Sequence, residues 1–132
     1  MGNLRKAIKE SALGPARETE TGAVVRSYCF APDFIGFSGH FPGYPLLPAF
    51  VQVLTVLVMA EEVKGRPLKI LTLEKAKFQK EVFPGQEIMV QFREGITKGK
   101  TKLEATLTVA ENQAASFSLI LADEETLRSY NA

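Results

Sequence analysis

The stretch Gly39-His40-Phe41-Pro42-Gly43-Tyr44-Pro45-Leu46-Leu47-Pro48 runs directly into an apolar segment, residues 49 to 60, and the two together decide the fold. The stretch contains the chain's one histidine and three of its seven prolines. Because proline fixes φ at about −65°, the backbone around that histidine is expected to be stiff. Pro48 suits the first turn of a helix, and Gly65 suits a C-cap. The sequence therefore predicts a rigid loop that leads into a helix over residues 49–64.

The predicted helix is apolar on every face between residues 49 and 60, apart from Gln52 and Thr55. A helix of this kind is surrounded by protein and does not lie on a surface. A short amphipathic helix over residues 3–13, ended by Gly14-Pro15, is predicted before it. The remaining segments are rich in β-formers, and the predicted strands are residues 23–30, 68–78, 87–94, 102–109 and 114–122. The last four strands are expected to form a β-meander, with turns at residues 84–85, 95–99 and 111–113.

One fully apolar helix and about five mostly antiparallel strands can bury each other only if the sheet curls around the helix. At 132 residues the chain has the length of one domain. We therefore expect an α+β fold, with a curled, mostly antiparallel sheet around one central apolar helix and a short N-terminal helix. A single domain is expected over residues 1–132.

Composition excludes several classes of function. Sixteen basic and fifteen acidic residues give a net charge of +1, which does not favour nucleic acid as a partner. One cysteine, Cys29, permits no internal disulfide, and with one histidine it cannot supply a metal site. No metal and no cofactor are therefore expected. No signal peptide is recognised, and the apolar segment is too short to span a membrane, so a cytoplasmic protein is expected.

The run GHFPGYPLLP resembles the active-site loop of the 3-hydroxyacyl-(acyl carrier protein) dehydratases of fatty-acid synthesis. The family pattern is G-H-F-P-x-x-P, two hydrophobic residues, then P-G. A second block, residues 73–78 (LEKAKF) and 82–86 (VFPGQ), is similar to the family's later strand and turn. The resemblance implies the hot-dog fold and side-by-side dimers or higher homo-oligomers, with active sites at the dimer interface. It also implies an acyl thioester of acyl carrier protein or coenzyme A as substrate, in fatty-acid or polyketide-like, aryl-polyene lipid biosynthesis.

The resemblance also implies roles for single residues. In the family, the loop histidine removes a proton from C2 of the 3-hydroxyacyl thioester, and His40 matches it. A carboxylic acid protonates the departing hydroxyl, and backbone amides at the helix start hold the thioester carbonyl. An imidazole and a helix N-terminus both suit this chemistry. The predicted substrate-binding residues are Phe41, Gly43, Pro48, Ala49, Gln52 and Leu54.

Two positions depart from the family pattern. Ala49 stands where the family has glycine, and Leu54 stands where it has its acid, fourteen residues after the histidine. Leucine cannot transfer a proton, and loss of a general acid typically slows a reaction by about 10²- to 10⁴-fold. Glu61 and Glu62 are poor substitutes, because they lie about 10 to 12 Å further along the helix.

Several alternatives remain open from the sequence. Gln52 either positions a water in the site or serves as a hydrogen-bonding partner for loop backbone. His40 is either the base or a brace for the loop. The protein is expected to be dehydratase-like, and the alternatives are a non-catalytic acyl-binding or partner subunit and a hot-dog thioesterase. A thioesterase would need a carboxylate near the thioester to activate water.

Overall fold

The computed structural model describes residues 2–37 and 45–122. Two helices and six strands are formed there, joined in part by a short 3-10 turn at Ile35–Phe37. The helices are α1 (Gly2–Glu10) and α2 (Ala49–Lys64). The strands are β1 (Arg17–Glu18), β2 (Val24–Cys29), β3 (Ile70–Phe78), β4 (Glu87–Thr97), β5 (Lys100–Val109) and β6 (Asn112–Leu121).

Helix α2 has the predicted bounds, because local signals fix both of its ends. Pro48 is the N-cap residue, with φ −63° and ψ 152°. At the other end Gly65 adopts a left-handed conformation, with φ 70°, and its N–H donates to Glu61 O at 2.8 Å. Left-handed backbone is the conformation that glycine adopts without strain.

The six strands form one antiparallel sheet in the order β1-β2-β4-β5-β6-β3. Its inner face packs around α2, and the core includes Ile88, Phe92, Leu103, Phe117 and Leu119. The predicted curled α+β sheet around a central helix is confirmed. The helix is not enclosed along its whole length, however, because Phe50 in its first turn is 58% exposed.

The predicted four-strand meander is wrong in one respect. Strands β4, β5 and β6 do follow each other, but β3 lies beyond β6 at the far edge and pairs with it from Ile70↔Leu121 to Phe78↔Ala115. The connection from β3 to β4 therefore has to pass β6 and β5, which lie between these two strands in the sheet. The chain order of strands carries no direct signal for such a crossing, which is why the segment pattern missed it.

Two predicted turns are shorter than expected. The turn predicted over residues 95–99 consists of Lys98 and Gly99, both at positive φ, and β4 continues to Thr97. The turn predicted over residues 111–113 falls at Ala110 and Glu111, again at positive φ. In both hairpins the two-residue turn with positive φ matches the twist of the flanking strands, so the strands extend further than the local composition indicated.

Helix α1 ends earlier than predicted, at Glu10 instead of residue 13. Residues beyond it run alongside β2, since Leu13 N–H donates to Ser27 O and Cys29 N–H donates to Ser11 O, both at 2.9 Å. The short strand β1, which was not predicted, pairs with the same edge of β2 through residues 17 and 18, since β4 pairs with the opposite edge. Backbone pairing with β2 therefore overrides the helical pattern after residue 10.

Candidate functional site at the start of helix α2

The first turn of α2 presents backbone donors that the helix itself does not use. The N–H groups of Val51 and Gln52 both donate to Pro48 O at 3.1 Å. Pro48 makes no side-chain cap and has no N–H of its own. Among the residues that the structure describes, no acceptor is found for the N–H groups of Ala49 and Phe50. Free donors and the positive end of the helix dipole make this end of α2 suited to a developing negative charge.

Both backbone polar groups of Leu47, just before the helix, form hydrogen bonds. Its N–H donates to Val82 O at 2.8 Å, and its C=O accepts from Gln52 Nε2 at 3.1 Å. Val82 begins the later part of the second sequence block, residues 82–86. This contact therefore joins the two blocks that carry the family resemblance. Leu47 and Val82 are both buried, which shields the two hydrogen bonds from water.

Residues 82–86 are themselves anchored to Phe30, the residue that follows β2. Gly85, at φ 81°, donates its N–H to Phe30 O at 2.8 Å, and Phe83 N–H donates to Gln86 Oε1 at 2.8 Å. Phe30 in turn packs against Phe34, with ring centroids 4.5 Å apart. The turn that contacts Leu47 is therefore fixed by backbone bonds and by an aromatic cluster, and it offers a rigid support for the entrance to α2.

Gln52 is buried, with 3% of its surface exposed. Its Nε2 is used by Leu47, whereas its Oε1 has no partner among residues 2–37 and 45–122. Thr55, the other polar residue of the apolar segment, is fully engaged, because its hydroxyl donates to Val51 O at 2.7 Å. The amide nitrogen of Gln52 therefore bonds the backbone before the helix, as one of the two sequence alternatives expected. The amide oxygen has no partner among the described residues.

Leu54 is 7% exposed and belongs to the hydrophobic core. The carboxylates further along α2 are engaged elsewhere. Glu61 forms an ion pair with Arg5 and accepts from Leu68 N–H at 2.8 Å, and Glu62 lies 3.3 Å from the guanidinium of Arg26. These contacts tie α2 to α1, to β2 and to the segment before β3, which gives both glutamates a structural role.

Tyr28 lies buried near the polar cluster formed by Glu61, Glu62, Arg5 and Arg26. Burial raises the pKa of Tyr28 to about 12, although the nearby positive charge of Arg26 acts in the opposite direction. The glutamates of the cluster stand about 18 Å along the helix from Ala49. The cluster therefore belongs to the packing of α2 against α1 and β2 and not to the site at the start of α2.

Four of the predicted site residues, Pro48, Ala49, Gln52 and Leu54, lie together in the first two turns of α2. The other three, His40, Phe41 and Gly43, lie outside the described residues. Sequence reasoning missed Leu47 and Val82 as the contact that holds the helix entrance. The signal available for this contact was the presence of the two blocks in one family pattern, which places them near each other without giving the bond.

Metal and membrane features were also searched in the described part of the chain. No group of three or more potential ligands among histidine, cysteine, aspartate and glutamate lies close enough there to hold a metal ion. Within the same residues, neither helix combines the length and the apolar character that crossing a membrane requires.

The curled antiparallel sheet around one apolar helix defines a hot-dog protein, with its candidate functional site at the start of that helix. The family model described as ApeI-like, ApeI dehydratase, matches residues 16–119. The chain belongs to this family, a branch of the dehydratase-like hot-dog proteins, which confirms the resemblance seen in the sequence.

Similar proteins agree with this assignment. The 3-hydroxyacyl-[acyl-carrier-protein] dehydratase FabZ of Hydrogenobaculum sp. (strain Y04AAS1) is 32% identical over 104 residues, which cover 70% of this chain and 69% of that protein. Matches to other FabZ proteins span 53% to 71% of their lengths. The chain is thus a dehydratase-like acyl-thioester protein by family.

Solved structures confirm the hot-dog fold. The dehydratase heterocomplex ApeI:P from Xenorhabdus doucetiae matches with a TM-score of 0.70 and 20% identity, over 85% of this chain and 96% of that chain. A hypothetical thioesterase with coenzyme A from Streptococcus pneumoniae TIGR4 matches with a TM-score of 0.62 and 8% identity, over 92% and 94%. At these identities the likeness concerns the fold alone.

Proposed function

We propose that this protein binds the acyl thioester of acyl carrier protein or coenzyme A at the start of α2 and acts on 3-hydroxyacyl thioesters as a dehydratase. The observation that carries the proposal is the pair of N–H groups of Ala49 and Phe50, just after the GHFPGYPLLP loop, for which the described residues offer no acceptor. Two such donors suit a thioester carbonyl, whose oxygen gains negative charge when a proton leaves C2.

In the proposed reaction His40 takes the C2 proton, and the amides of Ala49 and Phe50 stabilise the enolate-like charge. An imidazole suits the task because its ordinary pKa lies near neutrality. The hydroxyl at C3 must then leave with a proton. Leu54 cannot supply that proton, and Glu61 and Glu62 are bound to arginines. In the proposed reaction the imidazolium of His40 therefore passes the proton taken from C2 to the hydroxyl, which leaves as water while the C2–C3 double bond forms.

A second candidate is a non-catalytic acyl-binding or partner subunit, and Leu54 favours it. Leu54 is buried in the hydrophobic core at the position where the family has its acid. This position therefore contributes to packing and cannot transfer a proton. In this version a homologous subunit supplies the acid. The ApeI:P protein of Xenorhabdus doucetiae is described as a heterocomplex, which is consistent with such pairing.

A thioesterase is the third candidate and has the least support. Such an enzyme needs a carboxylate near the thioester to activate water. Glu61 and Glu62, the acidic residues within α2, are both held in ion pairs in its last turns. The first two turns, where the free amides lie, contain no acidic residue.

Dimer formation is part of the proposal and is supported by the two edges of the sheet. One edge is β1, which has only two residues, both exposed and charged. The other is β3, nine residues long, with Leu73 45% exposed and Phe78 41% exposed. Although Glu74, Lys75 and Lys77 make the strand partly charged, a long exposed edge strand leaves unpaired N–H and C=O groups that can pair with another chain. We therefore propose a homodimer that pairs through β3, or the same edge joined to a homologous subunit.

A cytoplasmic location is also part of the proposal. The single cysteine, which permits no internal disulfide, fits a reducing compartment, and we place this protein in the cytoplasm.

A substrate screen tests the proposal. Purified protein is incubated with crotonyl and 3-hydroxybutyryl thioesters of coenzyme A and of acyl carrier protein, and both hydration and hydrolysis are followed. Reversible hydration that disappears in His40→Ala supports the dehydratase. Thioester binding without turnover supports the non-catalytic subunit, and release of free thiol supports the thioesterase. No binding of any thioester would refute all three.

A further inference from the structure

The two ends of the Gln52 carboxamide have different environments. Nε2 donates to Leu47 O at 3.1 Å, whereas Oε1 finds no donor among the described residues. The side chain is 3% exposed, so bulk water does not satisfy the oxygen. A buried acceptor without a partner costs about 1 to 3 kcal/mol, and such groups are uncommon in folded proteins.

The surroundings of Gln52 along α2 do not offer a donor. Its helical neighbours Val51, Leu54 and Val56 are apolar and buried. Thr55 has a hydroxyl, but its proton is donated to Val51 O. An isolated water would itself need two to four polar partners to be held there. The unpaired oxygen therefore points to a donor that arrives with a ligand.

The position of the carboxamide relates it to the free amides. Ala49 and Gln52 are three residues apart, which is about 4.5 Å along the helix axis. The hydrogen bond to Leu47 shows that the side chain folds back toward the N-terminal end of α2. The free acceptor and the two free donors of Ala49 and Phe50 therefore lie at the same end of the helix.

We infer that Gln52 determines specificity for a hydroxylated acyl chain, with its free Oε1 accepting a hydrogen bond from the 3-hydroxyl of a bound 3-hydroxyacyl thioester. This inference rests on the proposed function, because it takes the thioester carbonyl to be held by the amides of Ala49 and Phe50. The acyl part of the ligand then has one hydrogen-bond donor, the hydroxyl two carbons from the carbonyl carbon. A saturated or an unsaturated acyl chain has none and leaves the buried oxygen unpaired.

The test compares two ligands that differ only in the hydroxyl. They are coenzyme A analogues in which an amide replaces the thioester, one carrying a 3-hydroxybutanoyl group and the other a butanoyl group. The amide makes the C2 proton too weakly acidic to be removed, so only binding is measured. Isothermal titration of the parent protein is expected to show about three- to tenfold tighter binding of the hydroxylated analogue, the range of one hydrogen bond.

Two variants assign the preference to Gln52. Gln52→Met keeps a side chain of similar length without the carbonyl and is expected to bring the ratio of the two dissociation constants to about 1. Thr55→Val is the matched control, because it also removes a buried polar group from α2, one that already has its partner. It is expected to leave the ratio unchanged.

A measurement on the parent protein covers the case in which Gln52→Met does not fold. The side-chain amide resonance of Gln52 is expected to move on addition of the hydroxylated analogue and to move much less with the butanoyl analogue. Equal affinity of the parent for the two analogues, or an unchanged ratio in folded Gln52→Met, would overturn the inference while leaving acyl binding intact. A Gln52→Met effect that weakens both analogues equally would assign Oε1 to the pantetheine arm and also overturn it. Failure of both analogues to bind would refute the proposed function itself.

Discussion

Leu54→Glu places a carboxyl group where the resembling family has its acid, and its consequences follow from the burial of this residue. Leu54 is 7% exposed and packs in the core. Loss of a buried leucine removes about 1.5 to 3 kcal/mol of transfer free energy, and a carboxyl without a hydrogen-bond partner adds a cost of about 1 to 3 kcal/mol. The methylenes of glutamate retain part of the packing. We expect a net loss of about 2 to 4 kcal/mol in the free energy of unfolding.

The same burial gives the new carboxyl a pH dependence with a defined sign. An apolar environment raises the pKa of a carboxyl above its ordinary value of about 4.3. The folded state then binds the proton more tightly than the unfolded state, so stability falls as pH rises from the unfolded pKa through the raised one. Leu54→Gln is the matched control, since it has the same size and no titrating proton. The stability gap between the two variants is expected to be smaller at pH 5 than at pH 8.

The activity readout decides whether the site retains a dehydratase geometry. A general acid contributes about 10²- to 10⁴-fold, so Leu54→Glu is expected to dehydrate a short 3-hydroxyacyl thioester at least about tenfold faster than Leu54→Gln. The gain should vanish in the double variant Leu54→Glu, His40→Ala. The assay is absorbance of the enoyl thioester. A folded, dimeric Leu54→Glu protein with no gain that depends on His40 would refute the reasoning, and the non-catalytic subunit would become the leading interpretation.

Three further predictions concern the loop, the sheet edge and the packing of α2. His40→Ala should abolish any dehydratase activity with little change in melting temperature, and a large drop in that temperature would instead indicate a brace for the loop. Leu73→Lys, on the edge strand β3, should shift the protein toward monomer in sedimentation. The control Ile96→Lys, at an 81% exposed position near a hairpin turn, should not. A dimer retained in Leu73→Lys would exclude pairing through β3. Glu61→Gln should lower the free energy of unfolding by about 1 to 3 kcal/mol without changing acyl binding, because Glu61 bonds both a cation and a backbone N–H. Glu104→Gln, at an exposed ion pair, should lower it by under about 1 kcal/mol. Equal losses for the two variants in urea unfolding would contradict this difference.

The central helix was predictable from the sequence because its signals are local. Pro48 and Gly65 fix its ends, and the continuous apolar run indicates burial. Leu103, Ala105 and Leu107 alternate with polar residues along the predicted strand 102–109, which is a local signal of the same kind, and all three are buried. Signals of this kind depend only on residues that are close in the chain, so they can be recognised without knowledge of the fold.

The features that the sequence did not reveal depend on partners distant in the chain. The place of β3 beside β6 is set by a crossover, and the turn at Lys98-Gly99 was obscured by Gly95, which reads as a breaker but lies inside β4. The hydrogen bond between Leu47 and Val82 joins segments 35 residues apart (82 minus 47), and only the shared family pattern hinted at it. The 58% exposure of Phe50 was likewise not predicted, because the apolar run alone does not show which side of the first turn the sheet leaves open.

The most direct test of the acyl site is a titration of the isotopically labelled parent protein with the butanoyl amide analogue of coenzyme A, followed through backbone amide resonances. If the carbonyl is held at the start of α2, the resonances of Ala49 and Phe50 should move markedly on binding. The resonance of Gly65, whose N–H is already donated to Glu61 at the other end of the helix, should stay in place. Binding that leaves Ala49 and Phe50 unmoved, or that mainly shifts residues around Gly65, would contradict the location of the site.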